Sequence, residues 1–140
     1  MPLPDKTLYS TPLARNTGIT NIAIPSGNTA MGSVVNNDSD LNLFANVDLV
    51  WSYGIAPASD KLVEVHILYA LDGINFEELS SHTVVAGLSP PADTAAHRRL
   101  LVRGLRILPH AFKLAIRNVD TGQTITVTAS MSTYSLQQVD

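Results

Sequence analysis

The sequence predicts an all-β fold, an antiparallel β-sandwich that is jelly-roll-like, with an extended N-terminal arm. Three observations carry that expectation. Long stretches alternate apolar and polar residues with period two, the spacing that turns one face of a strand toward a core. Clusters of Gly, Pro, Asn and Asp separate those stretches. No segment repeats apolar residues at the spacing of an amphipathic helix.

Composition points the same way. The 140 residues fall within the usual size of one domain, and a chain of that length buries enough surface to need no staples. Charged residues make up only 15%, against the ~25% typical of soluble domains, and Ser, Thr and Asn supply the missing polarity. Thr suits a half-buried pleated surface, while Ser and Asn suit turns and edges. A sparsely charged surface also leaves area that is cheap to desolvate against a partner.

Residues 1–16 read as the arm, because Pro2, Pro4 and Pro12 push their neighbours toward extended geometry. Residues 17–140 form a single sandwich domain. A first strand is expected at Ile19–Ile24, with Ile22 and Ile24 on one face, stopped by Pro25-Ser26-Gly27-Asn28. A polar loop, Asn36–Asp40, leads into the clearest strand, Leu41–Tyr53, whose inner face carries Leu43, Val47, Leu49 and Trp51. After a loop at Ile55–Lys61, the next strand is Leu62–Leu71, apolar on both faces at its far end. Asp72-Gly73 accepts the positive φ of a hairpin turn, so Ile74–Leu79 is expected to return as a strand. A Gly/Pro/Ala loop follows over residues 86–96, long for so small a domain and therefore a candidate contact loop. Arg99–Leu108 has strand composition, yet its apolar and basic residues do not separate onto two faces. Phe112–Arg117 alternates again, turns at Asn118–Gly122 and enters the last strand, Gln123–Ser135.

Candidate chemistry is thin. No cysteine is present, which excludes disulfides, thiol catalysis and Cys-ligated metals. His66, His82, His97 and His110 lie at no metal-ligand spacing and read as surface or edge histidines. Asp38, Asp40 and Asp48 with their neighbouring Asn residues offer oxygen donors of the kind calcium takes, but without the EF-hand pattern; a polar loop entering a strand explains them as well. Glu77-Glu78 is the wrong geometry for a glycosidase pair, since adjacent strand residues face opposite ways. No hydrolase elbow, phosphate loop or dinucleotide fingerprint occurs. The expectation is a protein that is not an enzyme, with no catalytic residue, no metal and no cofactor.

A net charge of −3 argues against nucleic acid as the main partner. No apolar stretch reaches the ~20 residues that span a bilayer, and the N-terminus lacks the apolar run of a signal peptide, so no membrane partner is expected. Trp51, Tyr53 and Tyr69 fall on inner faces and read as core; a sugar platform would instead need an exposed aromatic pair. Arg98, Arg99, Arg103 and Arg106 are explained either as a solvated edge or as an interface whose guanidinium groups pair with a neighbouring subunit's acids.

The stretch VEVHILYALDGINFEEL and the ending RRLLVRGLRILPHAFKLAIRNVDTGQTITVTASMSTYSL resemble small tailed-bacteriophage virion proteins over roughly the second half of the chain. The likeness is to a hairpin with a DG turn, a PxxFKLxIRN-like strand, a TG turn and a Thr-rich last strand. It implies a capsid decoration (cement) protein: a structural homotrimer on the outside of the capsid, assembled in the host cytoplasm and clamping the major capsid protein. On that reading the interface falls on Leu3, Pro4, Leu8, Tyr9, Pro12 and Leu13 of the arm, and on Leu88, Pro90, Pro91, Arg98 and Arg99 at the long loop. Two other readings stay open. One is a carbohydrate-binding module or tail-fibre receptor-binding domain; the other is a different virion part, such as a tail or baseplate protein.

Overall fold

A computed structural model describes residues 6–52, 62–88, 98–119 and 121–139. Its strands run β1 (Lys6–Tyr9), β2 (Leu13–Arg15), β3 (Ile22–Ile24), β4 (Thr29–Met31), β5 (Phe44–Ser52), β6 (Leu62–Ala70), β7 (Val84–Leu88), β8 (Arg98–Arg106), β9 (Ala111–Val119), β10 (Ile125–Tyr134) and β11 (Leu136–Val139). The one helix among the described residues is α1 (Asn37–Asp40), a single turn.

Two antiparallel sheets face each other across the core. The first has the order β2-β10-β5-β8, with β3 also pairing β10, and the second is β4-β9-β6-β7. β2 and β3 lie end to end on the same flank of β10, at Met131–Thr133 and at Ile125–Val127. They act as one interrupted strand. The gap is bridged at Ala129, whose carbonyl accepts the Thr17 hydroxyl at 2.5 Å and whose N–H donates to the Ile19 carbonyl at 2.9 Å. Counted so, the chain crosses between the two sheets at almost every connection, and among the described strands of these sheets only β6 and β7 are successive neighbours in one sheet. That is the double Greek key of a jelly roll. The expected fold class is what the chain adopts.

The inner faces follow the alternation in the sequence. β5 buries Ala45, Val47, Leu49 and Trp51, and β10 buries Ile125, Val127, Ala129 and Met131 opposite Val63, Val65, Ile67, Phe112, Leu114 and Ile116 of the second sheet. Each fully buried aliphatic or aromatic side chain in such a core contributes about 1.5–3 kcal/mol relative to exposure. Trp51 belongs to this core, and Tyr69 packs edge-on against Phe112 with ring centroids 5.9 Å apart. Tyr53 lies outside the described residues.

Four expectations need correction. Ile74–Leu79 is not a returning strand; the partner of β6 is β7, and residues 71–83 lie between them as a strap. The Asp72 carboxylate holds the turn by accepting the Ile74 and Asn75 backbone N–H groups, which stops a two-residue hairpin from forming. The strap explains why β6 is apolar on both sides, because Leu68 and Ala70 point away from the core yet are buried. Secondly, Ala86–Leu88 belong to β7 and not to a loop; the rest of that stretch, 89–96, lies outside the described residues. Thirdly, β5 begins at Phe44, since residues 37–40 form α1 and Leu41 takes a left-handed φ of 52°. Lastly, Ile22 and Ile24 share a face, but only Ile24 is buried; Ile22 is 38% exposed on the edge strand β3.

Two buried amides pin the connections. Asn37 donates from Nδ2 to the Asn42 and Leu108 carbonyls at 3.0 and 2.7 Å. Asn118 does the same to Ile24 and Gln123 at 2.9 and 2.7 Å and accepts the Thr121 hydroxyl at 2.6 Å, tying β3 to the β9–β10 turn across the two sheets. Removing such a side chain strands buried carbonyls without donors. Asn118→Ala is expected to cost about 2–3 kcal/mol, read as a fall in melting temperature of roughly 5–10 °C. The strap has its own signature in pH. The Asn75 backbone N–H first, and then those of Ile74 and the Asn75 side chain, hold the Asp72 carboxyl at about 2, below its ordinary 3.8. A depressed carboxyl stabilises the fold above its ordinary value and loses that contribution as pH falls through about 2. A carbon-detected titration is expected to find this midpoint, and Asn75→Ala to move it part of the way back up.

Candidate functional site

The two outer faces of the sandwich differ. That of the second sheet is covered by the 71–83 strap, which the sheet grips in several ways. The Tyr69 N–H donates to Glu77 Oε1 at 2.9 Å, and Lys113 sits 4.6 Å over the Phe76 ring. His66 is buried beneath it, with Nε2 2.9 Å from Glu64 Oε2 and Nδ1 2.8 Å from Thr83 Oγ1. It is therefore no surface histidine but a strut between β6 and the strap's end. Among the described residues the outer face of the first sheet has no such cover.

A groove runs over that open face. One stretch, of about 300 Å³, lies on β5, β8 and β10, where Asp48, Leu101 and Ser130 contribute. It shares Asn46 and Arg103 with a second stretch of about 570 Å³, whose other lining is Tyr9, Ser10, Thr11, Pro12 and Tyr134. The larger stretch has the size of a small-molecule site.

Its shape comes from a β-bulge. β5 and β8 pair Ala45 with Leu105 but Val47 with Val102, so Asn46 faces two residues, Arg103 and Gly104. Gly104 takes a left-handed φ of 62°, and its N–H donates to Asn46 Oδ1 at 2.9 Å. A glycine takes that left-handed conformation without the steric cost a side chain would carry, which lets two residues face one in this bulge. The extra residue shifts the phase of β8. Leu100 and Val102 point inward before it, Leu105 after it, and Arg99, Leu101, Arg103 and Arg106 remain outside. This is why apolar and basic residues do not separate onto two faces along the sequence of β8.

An aromatic stack builds the far wall. Tyr134 and Phe44 are register partners on the outer face, stacked at 5.5 Å between centroids. Tyr9 meets Tyr134 edge-on at 5.4 Å while remaining 71% exposed. The β1–β11 ribbon positions it by pairing Tyr9 with Leu136, and the turn back toward β2 is fixed where the Ser10 N–H donates to the Ser135 carbonyl at 2.7 Å.

The sequence-predicted contact residues divide accordingly. Tyr9 and Pro12 line the groove, while their chain neighbours Leu8 and Leu13 do not and are 51% and 48% exposed. Leu3, Pro4, Pro90 and Pro91 lie outside the described residues; Leu88 ends β7 and Arg98 begins β8. Arg99 is engaged within its own chain, with Nε 2.8 Å and the terminal nitrogen 2.5 Å from the two oxygens of Asp48, which raises its pKa. The acidic–amide run is likewise committed. Asp40 pairs with Arg15 at 2.6 Å, and Asn37 is a buried strut. Among the described residues no three His, Asp or Glu side chains gather as a metal site. Sequence reasoning missed Asn46, Arg103 and Tyr134 as a group, because only the bulge and the ribbon bring them to Tyr9.

No family model matches the sequence, and no curated protein matches it either. Among solved structures, a chain of the structure of infectious bursal disease virus, Gx strain, superposes with a TM-score of 0.52 at 12% identity over 94% of this chain. This chain spans about a third, 32%, of that one. At that identity the likeness is one of fold alone.

The bulge is the testable keystone of the groove. A Cβ on residue 104 would lie 3.8 Å from the Tyr134 hydroxyl, an ordinary contact, so the cost of replacing Gly104 is that of the left-handed backbone. Gly104→Ala is expected to destabilise by roughly 1–2 kcal/mol, and Gly104→Asn by less, because Asn tolerates that region better. Equilibrium urea unfolding of the two variants checks the order.

Proposed function

We propose that the chain is a structural protein of a virus particle, and specifically a non-catalytic decoration protein that binds the outside of a phage capsid as a homotrimer. The observation that supports the coarser reading is the β-sandwich fold, which resembles that of a chain in the structure of infectious bursal disease virus. The finer reading rests on the resemblance of the second half of the sequence to small phage virion proteins and on the distribution of exposed apolar residues.

Five of the thirteen exposed large apolar residues among the described ones gather at one end of the sandwich, where β6, β8 and β10 finish and β5 and β9 begin. Leu41, Leu43, Leu71, Ile74 and Leu108 are 57%, 38%, 74%, 78% and 45% exposed. Hydrogen bonds link this rim from loop to loop. The Leu43 N–H donates to Tyr134, Ile107 to the Leu43 carbonyl, and Leu108 to the Tyr69 hydroxyl. A rigid end rich in exposed apolar side chains is what a protein needs in order to seat on another protein surface. The arm adds to it through the strand edge it offers. Its described part pairs within the chain, β1 with β11 and β2 with β10, so the trans contact falls to residues before β1 and to the ribbon's exposed side.

Purified protein mixed with undecorated capsids and sedimented is expected to bind, and light scattering to give three times the 15.0 kDa of one chain. Truncation to residue 12, which spares β2, and the pair Leu71→Ser and Ile74→Ser are each expected to lower occupancy at least tenfold with the sandwich still folded. A monomer overturns the trimer; unchanged occupancy in both variants overturns the docking end.

A further inference from the structure

We propose that the groove bounded by Tyr9, Asn46, Arg103 and Tyr134 is a binding site for an acidic carbohydrate, a sugar ring bearing a carboxylate. The inference goes beyond the structural role and is tested apart from it, on the isolated protein without capsids.

The chemistry of the lining selects the ligand. Among the described residues the larger stretch is lined by no carboxylate, and the neighbouring Asp48 is already paired with Arg99. The groups present are in donor surplus. Arg103 makes no hydrogen bond or ion pair among the described residues, although its guanidinium carries five donors. Asn46 uses its carbonyl oxygen on Gly104, which leaves its amide N–H groups for the groove. The Ser10 hydroxyl accepts from the Ser135 N–H at 2.8 Å, so its own proton is free to be donated. A concave site that offers donors and a fixed positive charge fits an acceptor-rich anion. A carboxylate meets an Arg fork in two parallel charge-assisted bonds, and ring hydroxyls supply further acceptors.

The aromatic wall separates a sugar from a simple anion. Tyr9 is held edge-on by Tyr134 and is 71% exposed, a fixed aromatic surface beside the charge. Such a surface takes the C–H face of a pyranose, an arrangement that favours a ligand with one apolar face and one polar rim. An acidic peptide shares the carboxylate but not that face, and it is the competing outcome.

The test uses the intact chain and the methyl glycosides of N-acetylneuraminic acid and glucuronic acid, with methyl galactoside as the neutral control. Saturation-transfer NMR and chemical-shift titration are expected to show at least one acidic glycoside binding at least tenfold more tightly than the neutral one, with contacts at Tyr9 and Arg103 and weakening as salt rises. Arg103→Ala and Tyr9→Ala are each expected to reduce affinity at least tenfold, and Arg103→Lys less than Arg103→Ala. Far-UV and thermal unfolding controls are expected to be unchanged for the Arg103 variants, whose side chain lies outside the core. Tyr9→Ala also loosens the β1–β11 ribbon, so the Arg103 variants decide. Equal binding of the neutral sugar, no binding by either acidic glycoside, or affinity indifferent to Arg103→Ala overturns the proposal. So does tighter binding of a glutamate-rich peptide that the sugars fail to displace. Capsid sedimentation, measured separately, reports on the structural role whatever the sugars do.

Discussion

The ladder between β5 and β10 is the constraint on which the rest of the molecule depends. It runs in register from Phe44 opposite Tyr134 to Ser52 opposite Thr126 without an interruption. Its inner side supplies Trp51, Leu49 and Val127 to the core, so the second sheet packs on it. Its flanks receive β8 on one side and β2 and β3 on the other. Its outer side forms the groove floor and ends in the Phe44–Tyr134 stack that holds Tyr9. Strand pairing, core and candidate site are therefore set by one register, and a slip of one residue would turn all three inside out.

The asymmetry of the two sheets follows from how each outer face is satisfied. The second sheet carries Leu68, Ala70 and His66 outward, and the 71–83 strap buries them. The first carries Asn46, Asp48, Ser130 and Ser132, half-buried or exposed groups that need no cover. A polar outer face can stay open to water, whereas an apolar one must be paired with something. The open face is also where the edge strand β8 is broken by its bulge and lined with arginines, devices that discourage a second chain from adding to an edge. What remains accessible is a surface suited to small polar ligands more than to strand addition.

Much of this was legible in the sequence, and the failures have physical causes. Alternation over β5, β6 and β10 displayed the core, down to Trp51, because a period of two leaves no choice of face. The apolar outer positions Leu68 and Ala70 were visible as an anomaly, but their cover was not, since Asp72-Gly73 reads as a hairpin turn until the Asp72 carboxylate is seen capping two N–H groups. β4 and α1 were not expected, being too short to show a period. In β8 the lost alternation was itself the signal. A glycine amid a strand whose faces do not sort is the mark of a bulge, and Gly104 is that residue. The groove was not legible at all, because Tyr9, Asn46, Arg103 and Tyr134 are remote in the chain and meet only through pairing.

The arm and the groove are one object, and this bears on how the molecule is used. A two-stranded ribbon such as β1–β11 is marginal by itself. It is held to the body by the Tyr9–Tyr134 contact and by the bonds that Ser10 exchanges with Ser135, the same residues that wall the groove. An occupant that touches Tyr9 therefore stabilises the ribbon's present position. A partner that draws the arm away must break that wall. The two events share residues, so their free energies are coupled, and each weakens or strengthens the other by the same factor. A ligand on the open face and a partner on the arm would thus each report on the other, through the contact between Tyr9 and Tyr134.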